Sequence, residues 1–348
     1  MSWTGHKIAR NVFSMVARRV VGIVFTPSWL RVAQAEMSRD RVYAVRLDAV
    51  PLPVGCINEN SGALEDSEML RDVIHSIPGT VLHHREDGEI FVVIPQLLCY
   101  RTSFVAPAGF AQASIKEILA AHPIELPGDR SSLVVDASAH AVSIAGARAV
   151  MVMAARRSSV EAYARLFKDR EWCLGGMTTG EIARYNRWRL QCRSLSSDVA
   201  LVCSADIDSQ ELSLWDRGVL IASDTRCWYQ RERRSFDGNV DTEKPLGATT
   251  DRIAKAVANM IERANAVARP ITQILFGGSL TNLRQLHERV HRLTGIQYEV
   301  SQRVDRYMKI TQPTDDLCGL RIQGAQEQGL FDDALGAIAP QIFKRVQG

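Results

Sequence analysis

Short apolar runs separated by turn residues mark the middle of the chain, where residues 198–225 read DVALVCSADIDSQELSLWDRGVLIASDT. Val199–Val202, Glu211–Trp215 and Val219–Ala222 predict three strands, because short apolar or alternating runs bounded by turn residues are typical of strands. Asp216–Gly218 predicts a tight hairpin turn between the second and third strands. The stretch therefore predicts a strand, a polar turn, a strand, a hairpin and a strand.

A looser copy of this pattern lies near the N-terminus. Val20–Phe25 is apolar, Thr26–Ser28 is a short polar turn, and Trp29–Ala33 is again mostly apolar. Each half of an actin-like fold begins in this way, so the two copies predict two related lobes that face a cleft. The predicted fold class is α/β, with the duplicated, ribonuclease H-like two-lobe arrangement of actin-like proteins.

The remaining periodicity predicts strands and helices around these two units. The predicted strands cover residues 41–47, 90–94, 101–105, 133–135, 142–144, 149–154 and 271–276. The predicted helices begin near residues 66, 158 and 179 and cover 113–121, 251–268, 283–293 and 331–346. In the helix at 283–293, the residues predicted to face the core are Leu283, Leu286, Val290 and Leu293.

Glycines and polar runs predict the boundaries between these elements. Gly175–Gly180 predicts a turn between elements, since it resembles only half of a phosphate loop and lacks the lysine. Residues 237–246 are polar and predict a linker. The predicted domains are a basic N-terminal segment at 1–19, lobe 1 at 20–180 with a small inserted subdomain at about 95–150, and lobe 2 at 181–348.

Composition narrows the class of protein. A length of 348 residues suits two domains. The net charge of +3 is too small to indicate a nucleic-acid partner. The seven cysteines contain no Cys-x-x-Cys pair, which favours a reduced cytoplasmic protein over a zinc site or a disulfide framework. No apolar run approaches the ~20 residues that are needed to cross a bilayer.

The N-terminal segment is strongly basic. No acidic residue precedes Glu36, whereas Lys7, Arg10, Arg18 and Arg19 do. The apolar residues of this segment that can share one helical face are Trp3, Ile8, Val12, Phe13 and Val16. A basic amphipathic helix can lie on an anionic membrane surface. The alternatives are a solvated leader before the first strand and, by composition, a mitochondrial transit peptide.

A glycine pair follows the strand at 271–276. Gly277, Gly278 and Ser279 separate this strand from the amphipathic helix at 283–293. Glycines let a flat ligand or another backbone approach closely, and the N-terminus of a helix favours negative charge. Strand-Gly-Gly-helix turns also occur for packing alone, so the motif allows both a nucleotide contact and a structural turn.

The order and spacing of these segments resemble the PilM family of actin-like proteins in type IV pilus assembly, which is related in fold to FtsA. The resembling segments are 21–33, 50–76, 91–95, 151–167, 200–222, 274–279 and 334–339, which together span roughly residues 20–345. The resemblance implies a two-lobe actin-like ATPase fold with an inserted subdomain in lobe 1.

The resemblance also implies a function as a scaffold. PilM-like proteins lie at the cytoplasmic face of the inner membrane and bind the short cytoplasmic N-terminal segment of a membrane protein, PilN. The expected partners are therefore a PilN-like protein and other pilus assembly proteins, with weak membrane contact and no nucleic acid. The expected location is cytoplasmic and peripheral to the inner membrane.

The phosphate loops depart from the family pattern, which has an Asp-x-Gly turn in each lobe. In that pattern the carboxylate helps to hold Mg²⁺ and the glycine lets N–H groups reach phosphate oxygens. Val24–Ser28 contains neither Asp nor Gly, and Pro27 lacks an N–H. Cys203–Ala205 stands at the second Asp-x-Gly position. We therefore expect no ATP hydrolysis, no catalytic residue, no cofactor and no metal.

Nucleotide binding without turnover stays open as a second possibility, with ATP and Mg²⁺ as the ligands. The residues that would contact them are Thr26, Ser28, Asp206, Asp208, Ser209, Gly277, Gly278 and Ser279. A working ATPase would use Asp206 or Asp208 for Mg²⁺. A third possibility is a cytoplasmic scaffold of type II secretion that resembles GspL, although that family normally continues into a transmembrane helix.

Other polar clusters have simpler structural interpretations. His83 and His84 are adjacent in a polar turn, and His287 and His291 have helical i,i+4 spacing without an evident third ligand. The group Asp136, Ser138 and His140 lacks the sequence context of a nucleophile elbow. The arginines and aromatics at 226–236 are interpreted as a strand that continues into a basic loop rather than as a nucleic-acid site.

Overall fold

Three β-sheets, with helices packed on them and between them, form the described part of the chain. The computed structural model describes residues 18–37, 42–77, 88–110, 113–122, 124–141, 148–168, 173–191, 199–205, 209–227, 243–266, 271–277, 284–295, 308–310 and 332–346. Within these segments, no helix is both long enough and apolar enough to cross a membrane.

The first lobe is built on a six-stranded sheet with the order β13-β3-β2-β1-β4-β8. Its strands are β1 (Arg18–Phe25), β2 (Trp29–Met37), β3 (Val42–Pro51), β4 (Gly88–Ile94), β8 (Cys173–Thr179) and β13 (Met308–Ile310). Strands β1, β2 and β3 form an antiparallel meander, and β4 lies parallel to β1 on its other side. Strand β1 is therefore central, and its apolar sequence is explained by burial on both faces.

Helices cover both faces of this sheet. They are α1 (Ser67–Ser76), α3 (Arg157–Lys168) and α7 (Asp332–Val346). Val20 and Val24 point from β1 into a core with α7, whereas Val21, Ile23 and Phe25 point into the opposite core with α1 and α3. This alternation follows from the two-residue period of a strand.

A three-stranded antiparallel sheet is inserted between β4 and β8, with the order β5-β7-β6. Its elements are β5 (Cys99–Ala106), α2 (Ile115–Ala121), β6 (Leu133–Ala141) and β7 (Arg148–Arg156). Val150 and Val152 of β7 share a small core with Ile118 of α2. Ala149 and Met151, on the other face of β7, pack against the second lobe. The insertion therefore packs against the second lobe.

The second lobe is built on a four-stranded sheet with the order β11-β10-β9-β12. Its elements are β9 (Val199–Ala205), β10 (Ser209–Asp216), β11 (Val219–Cys227), α5 (Glu243–Ala266), β12 (Gln273–Gly277) and α6 (Arg284–Thr294). The hairpin turn has positive φ at Arg217 (52°) and Gly218 (88°), as the twist of an antiparallel pair requires. The three predicted strands and the hairpin are confirmed here. Of the predicted polar turn at 203–209, residues 203–205 continue strand β9 and 206–208 lie outside the described residues.

Helix α4 (Gly180–Gln191) lies between the two lobes. Its Ala183 packs into the core that α7 forms with the first sheet. Its Tyr185 and Trp188 pack on the second sheet, where the Tyr185 ring stacks on Trp215 with 4.0 Å between centroids. One short helix therefore belongs to the cores of both lobes.

Helix α7 approaches its neighbours closely because glycines remove side chains at the contacts. A Cβ at Gly22 of β1 would overlap the carbonyl oxygen of Ala334. A Cβ at Gly336 of α7 would overlap the carbonyl oxygen of Ala183 in α4. These two glycines set the distances of α7 from the sheet and from α4.

The structure corrects the predicted domain boundaries. Strand β13 pairs with β3, and α7 packs on β1, β2 and β4, so the C-terminal part of the predicted lobe 2 belongs to the first lobe. The reason is that Leu335 and Ile338 find apolar partners on β1. The predicted N-terminal segment at 1–19 also extends too far, because Arg18 and Arg19 lie in strand β1.

Three local predictions are also wrong. Residues 175–179 form a strand instead of a turn, because Gly175 lets β8 lie against the ring of Phe91 on β4. Helix α5 begins at Glu243, inside the predicted linker at 237–246. Leu293 of α6 is 53% exposed rather than buried, although Val290 is buried as predicted. The predicted strand at 142–144 lies outside the described residues.

The close packing of α7 on α4 predicts a large effect of the Gly336→Ala substitution. Helix propensity alone favours alanine by about 1 kcal/mol. We expect the opposite, a loss of about 2 kcal/mol or more in the free energy of unfolding, because the methyl group would overlap backbone. Urea denaturation measures the change.

The matched control is Gly109→Ala. Gly109 is exposed, and a Cβ there would meet nothing within 4 Å. Equal stabilities of the two variants would contradict the packing of α7 on α4.

Candidate functional site between the lobes

The first predicted phosphate turn, Thr26–Ser28, is closed on itself. The Thr26 N–H donates to the Trp29 carbonyl (3.0 Å), and the Trp29 N–H donates to Thr26 Oγ1 (2.9 Å). Because Pro27 has no N–H, at most the N–H of Ser28 remains available in residues 26–29. Ser28 itself is buried, and its carbonyl accepts the N–H of Leu52. The turn therefore lacks the row of free N–H groups that cradles a phosphate.

The residues predicted as the second phosphate turn, Cys203–Ala205, lie in strand β9, and they place a thiol in the core. Cys203 is fully buried and packs with Leu212 and Phe276 in the core of the second lobe. Burial raises the pKa of the Cys203 thiol to about 12, although the nearby Arg184 guanidinium acts in the opposite direction. This thiol stays neutral at physiological pH and does not supply the negative charge of the family's aspartate. Asp206 and Asp208 lie outside the described residues, and of Ser209 only the backbone is described.

The third predicted turn begins opposite a carboxylate. Gly277 ends strand β12, and a Cβ there would lie 2.9 Å from Asp332 Oδ2 and 3.9 Å from Trp188 Nε1. A phosphate at this position would meet the negative charge of Asp332. Gly278 and Ser279 lie outside the described residues.

A buried arginine joins three elements in the cleft. The Arg184 side chain of α4 donates from Nη1 to both carboxylate oxygens of Asp333 on α7, at 2.9 and 2.8 Å. The same guanidinium pairs with Glu211 of β10. Arg184 is 2% exposed. Gly180 makes room for this group, since a Cβ there would lie 2.9 Å from Arg184 Nη2.

Two further ion pairs flank this contact. Arg187 of α4 lies 3.8 Å from Asp332 of α7, measured from Nε to Oδ1. Arg101 of β5 pairs with Glu181 of α4, whose side chain is fully buried. Burial lowers the pKa of Arg101, and the charge of Arg184 lowers it further. We call these four ion pairs the cleft ion cluster, formed by Arg101, Glu181, Arg184, Arg187, Glu211, Asp332 and Asp333.

Beside the cleft ion cluster lies a small cavity of about 50 Å³. Its walls come from the first turn, the end of β4 and the following 3₁₀ turn, the loop at Gly62, the start of α4, and strands β10 and β11. The Gly62 loop is held by Tyr163 of α3, which donates to the Gly62 carbonyl (2.8 Å). We call this space the cleft cavity.

The described lining of the cleft cavity is acidic. It includes Glu211 and Asp333 and no basic side chain. The closed first turn and the neutral Cys203 do not supply the N–H donors and the negative charge that phosphates and Mg²⁺ would need at these two positions.

The structure does not bring the other predicted residues into the cleft. Lys7, Arg10, His83 and His84 lie outside the described residues, and the side chains of His140 and His287 are not described. Asp136 Oδ1 accepts the N–H of Ala137, within the inserted sheet. Among the described residues, no group of three or more His, Cys, Asp or Glu side chains is arranged to hold a metal.

The residues of the cleft ion cluster were not predicted from the sequence. Arg184 and Asp333 are 149 positions apart, and no local motif connects them. A signal exists in α4, where Glu181, Arg184 and Arg187 recur at spacing three on the same side of a helix that also carries Tyr185 and Trp188. Such charges on a buried helix require partners from elsewhere in the chain.

The buried position of Arg184 predicts a large effect of the Arg184→Met substitution. Removal of one partner of a buried ion pair typically costs about 3–5 kcal/mol, because the remaining charges stay buried. We expect a loss of that size in the free energy of unfolding, measured by urea denaturation. The matched control is Arg165→Met on α3, whose exposed side chain pairs with Glu161 at 3.3 Å. Its loss should be about 0.3–0.5 kcal/mol. A similar small change in both variants would show that the Arg184 contacts are weak.

No protein-family model and no curated protein matches the chain. Among solved structures, the chain is similar to one in the "PilM-PilN type IV pilus biogenesis complex", with a TM-score of 0.63 and 16% identity over 93% of this chain and 98% of the other.

Two further solved structures are similar to the chain with TM-scores below 0.5. EutJ, an ethanolamine utilization protein from Carboxydothermus hydrogenoformans, has a TM-score of 0.49 and 10% identity over 93% of this chain and 92% of the other. MreB 5 of Spiroplasma citri, bound to AMPPNP, has a TM-score of 0.47 and 8% identity over 95% and 98%.

The similarity to the PilM-PilN structure is one of fold, since the identity is low. It agrees with the two related sheets, the insertion in the first lobe and the helices that pass between the lobes. The chain therefore has a two-lobe actin-like fold, divergent in sequence and similar in structure to PilM.

Proposed function

We propose that this protein is a non-catalytic scaffold of a type IV pilus-like assembly machine, located at the cytoplasmic face of the inner membrane. It would bind the cytoplasmic segment of a PilN-like membrane protein. The single observation that carries the proposal is the combination of a PilM-like fold with a cleft that is occupied by buried ion pairs. The fold supports the kind of machine, and the cleft supports the absence of catalysis.

The absence of catalysis is argued from what phosphoryl transfer requires. Catalysis depends on donors that hold the phosphates and on a metal that neutralises their charge. Here Thr26 and Trp29 use their N–H groups on each other, and Cys203 is a buried neutral thiol. Glu211 and Asp333 would repel a phosphate in the cleft cavity. Arg184, which could otherwise meet a phosphate, is held by both carboxylates.

The proposed partner site is the edge strand β5 of the inserted sheet. Strand β5 lies at the edge of this sheet and pairs only with β7 among the described strands. Leu97, Tyr100 and Val105, within or just before β5, are exposed apolar residues. An extended peptide can add a strand to such an edge, with backbone hydrogen bonds for affinity and apolar contacts for specificity. A short cytoplasmic segment of a membrane protein fits this chemistry.

The partner is tested with synthetic peptides that carry the cytoplasmic N-terminal segments of PilN-like proteins from the same organism. Calorimetry should detect saturable binding of one such peptide and none of its scrambled version. The Tyr100→Ser substitution should weaken binding about tenfold, because it removes an aromatic contact. The Leu293→Ser substitution, at an exposed apolar residue of α6 in the second lobe, should leave the affinity unchanged. The proposed partner is wrong if no peptide binds.

The absence of catalysis is tested separately with Mg²⁺-ATP. We expect no heat of binding in calorimetry and no phosphate release above that of a sample without protein. Turnover would contradict the non-catalytic role, and its loss in an Asp206→Ala or Asp208→Ala variant would identify the metal-binding residue. Binding without turnover would keep the scaffold role and would require the cleft ion cluster to rearrange.

A further inference from the structure

Helix α1 has one side exposed on the surface of the first lobe. Leu70 and Ile74 are buried on its inner side, in the core that α1 shares with β1 and α3. The opposite side carries Glu68, Met69 and Asp72, which are all exposed. These three residues recur at helical spacing, so they form one stripe along the helix. The stripe combines two carboxylates with an apolar side chain that is 39% exposed, Met69.

A second exposed apolar residue lies beside the start of this helix. Val54 is 76% exposed and precedes Cys56 by two residues. The Cys56 carbonyl accepts the N–H groups of Glu65 (2.9 Å) and Asp66 (3.3 Å). Asp66 in turn caps α1 by accepting the Met69 N–H (2.8 Å). These hydrogen bonds hold Val54 close to Met69. We call the surface formed by Val54, Glu65, Glu68, Met69 and Asp72 the α1 face.

The α1 face is acidic. Glu65, Glu68 and Asp72 are exposed carboxylates, and Glu65 Oε1 accepts a hydrogen bond from the Asn58 amide (2.6 Å). The nearby cation Arg71 is half-buried and has a further interaction. Exposed apolar residues with a polar rim are typical of a protein contact site. A segment that covers the α1 face therefore needs apolar side chains together with cations.

The chain itself carries a segment of this chemistry. Residues 1–17 contain the cations Lys7 and Arg10 and no acidic residue. The apolar residues interleaved with these cations are Trp3, Ile8, Val12, Phe13 and Val16. The segment lies outside the described residues, which begin with Arg18 of β1. In charge and in apolar content it complements the α1 face.

The segment is long enough to reach the α1 face. Strand β1 runs eight residues from Arg18 to Phe25, which is about 26 Å at ~3.3 Å per residue. The turn before α1 lies at the Phe25 end of the sheet, because the Leu52 N–H donates to the Ser28 carbonyl (2.8 Å). The 17 residues before Arg18 span about 56–61 Å when extended and about 26 Å as a helix. Either length suffices within one chain.

We propose that residues 1–17 dock on the α1 face of the same chain. Lys7 and Arg10 would lie beside its carboxylates, and the apolar residues of the segment would cover Val54 and Met69. The same apolar residues cannot lie on a membrane at the same time, so docking and membrane contact exclude each other. The proposal is independent of the PilN-like partner and of the site on β5.

The first test is limited proteolysis of the full chain with trypsin, which cleaves after Lys7 and Arg10. A docked segment is cleaved slowly, because a protease needs accessible chain. We expect the Glu68→Gln/Asp72→Gln double variant to be cleaved at these two sites about threefold faster or more, since two ion pairs are lost. The readout is the rate at which each N-terminal fragment is released, followed by mass spectrometry.

Two control variants separate docking from general effects. Glu125→Gln/Glu262→Gln removes two exposed carboxylates from the insertion and from α5, and it should be cleaved at the wild-type rate. Met69→Ser should accelerate cleavage, because it removes an apolar contact without a change of charge. Leu293→Ser, at a residue of α6 that is 53% exposed, should not.

The second test locates the docked segment by cross-linking. A carbodiimide joins the Lys7 amine to a carboxylate that it contacts, through an amide bond. We expect mass spectrometry to find Lys7 linked to Glu68 or Asp72. A mixture of isotope-labelled and unlabelled chains shows whether each link lies within one chain or joins two copies.

The proposal is overturned if trypsin cleaves the wild-type chain and the Glu68→Gln/Asp72→Gln variant at the same rate, or if the charge control is accelerated equally. It is also overturned if Lys7 is linked only to carboxylates outside the α1 face or only to a second copy. If the double variant does not fold, Met69→Ser and the cross-links decide. None of these outcomes depends on ATP or on a PilN-like peptide, so the proposed function is tested separately.

Discussion

The arrangement of the lobes depends on the ion pairs of the Arg184 guanidinium. It lies on α4, between the lobes, and it pairs with Glu211 of the second sheet and with Asp333 of α7. A buried charge is tolerated only where it is paired, so these three elements must meet in one place. Apolar residues of α4 join the cores of both lobes, and the cleft ion cluster adds directional contacts at the same place.

This role depends on the close approach of α7. Gly22 and Gly336 let the helix lie against β1 and α4, and this position brings Asp332 and Asp333 into the cleft. In a nucleotide-binding member of the fold, the space between the lobes has to admit phosphates and a metal. Here carboxylates and arginines that belong to the protein occupy it. The proposed scaffold role would need a constant shape for the partner, and ion pairs between the lobes are suited to that need.

Local sequence patterns predicted most of the strands and helices. They could not predict contacts between residues that are far apart in the chain. The hairpin at Asp216–Gly218 and the helix cap at Asp66, which accepts the Met69 N–H at 2.8 Å, follow from nearby residues. Strand β8 was mistaken for a turn, because its glycines serve a packing contact with Phe91 that the sequence does not show. The domain boundary was wrong for a similar reason, since α7 finds its apolar partners on β1, far away in the chain. The candidate site also depends on contacts between distant parts of the chain. Thr26–Ser28 forms a turn as predicted, whereas Cys203–Ala205 lies in strand β9. The partners of Arg184 come from two distant elements.

The central claim is that ion pairs occupy the space between the lobes, where nucleotide-binding proteins of this fold bind their ligand. The most direct test is a structure of crystals grown with Mg²⁺ and AMPPNP. We expect no nucleotide between the lobes, and Arg184 within hydrogen-bond distance of both Glu211 and Asp333. A nucleotide in the cleft, with Arg184 turned from these carboxylates toward its phosphates, would contradict the account.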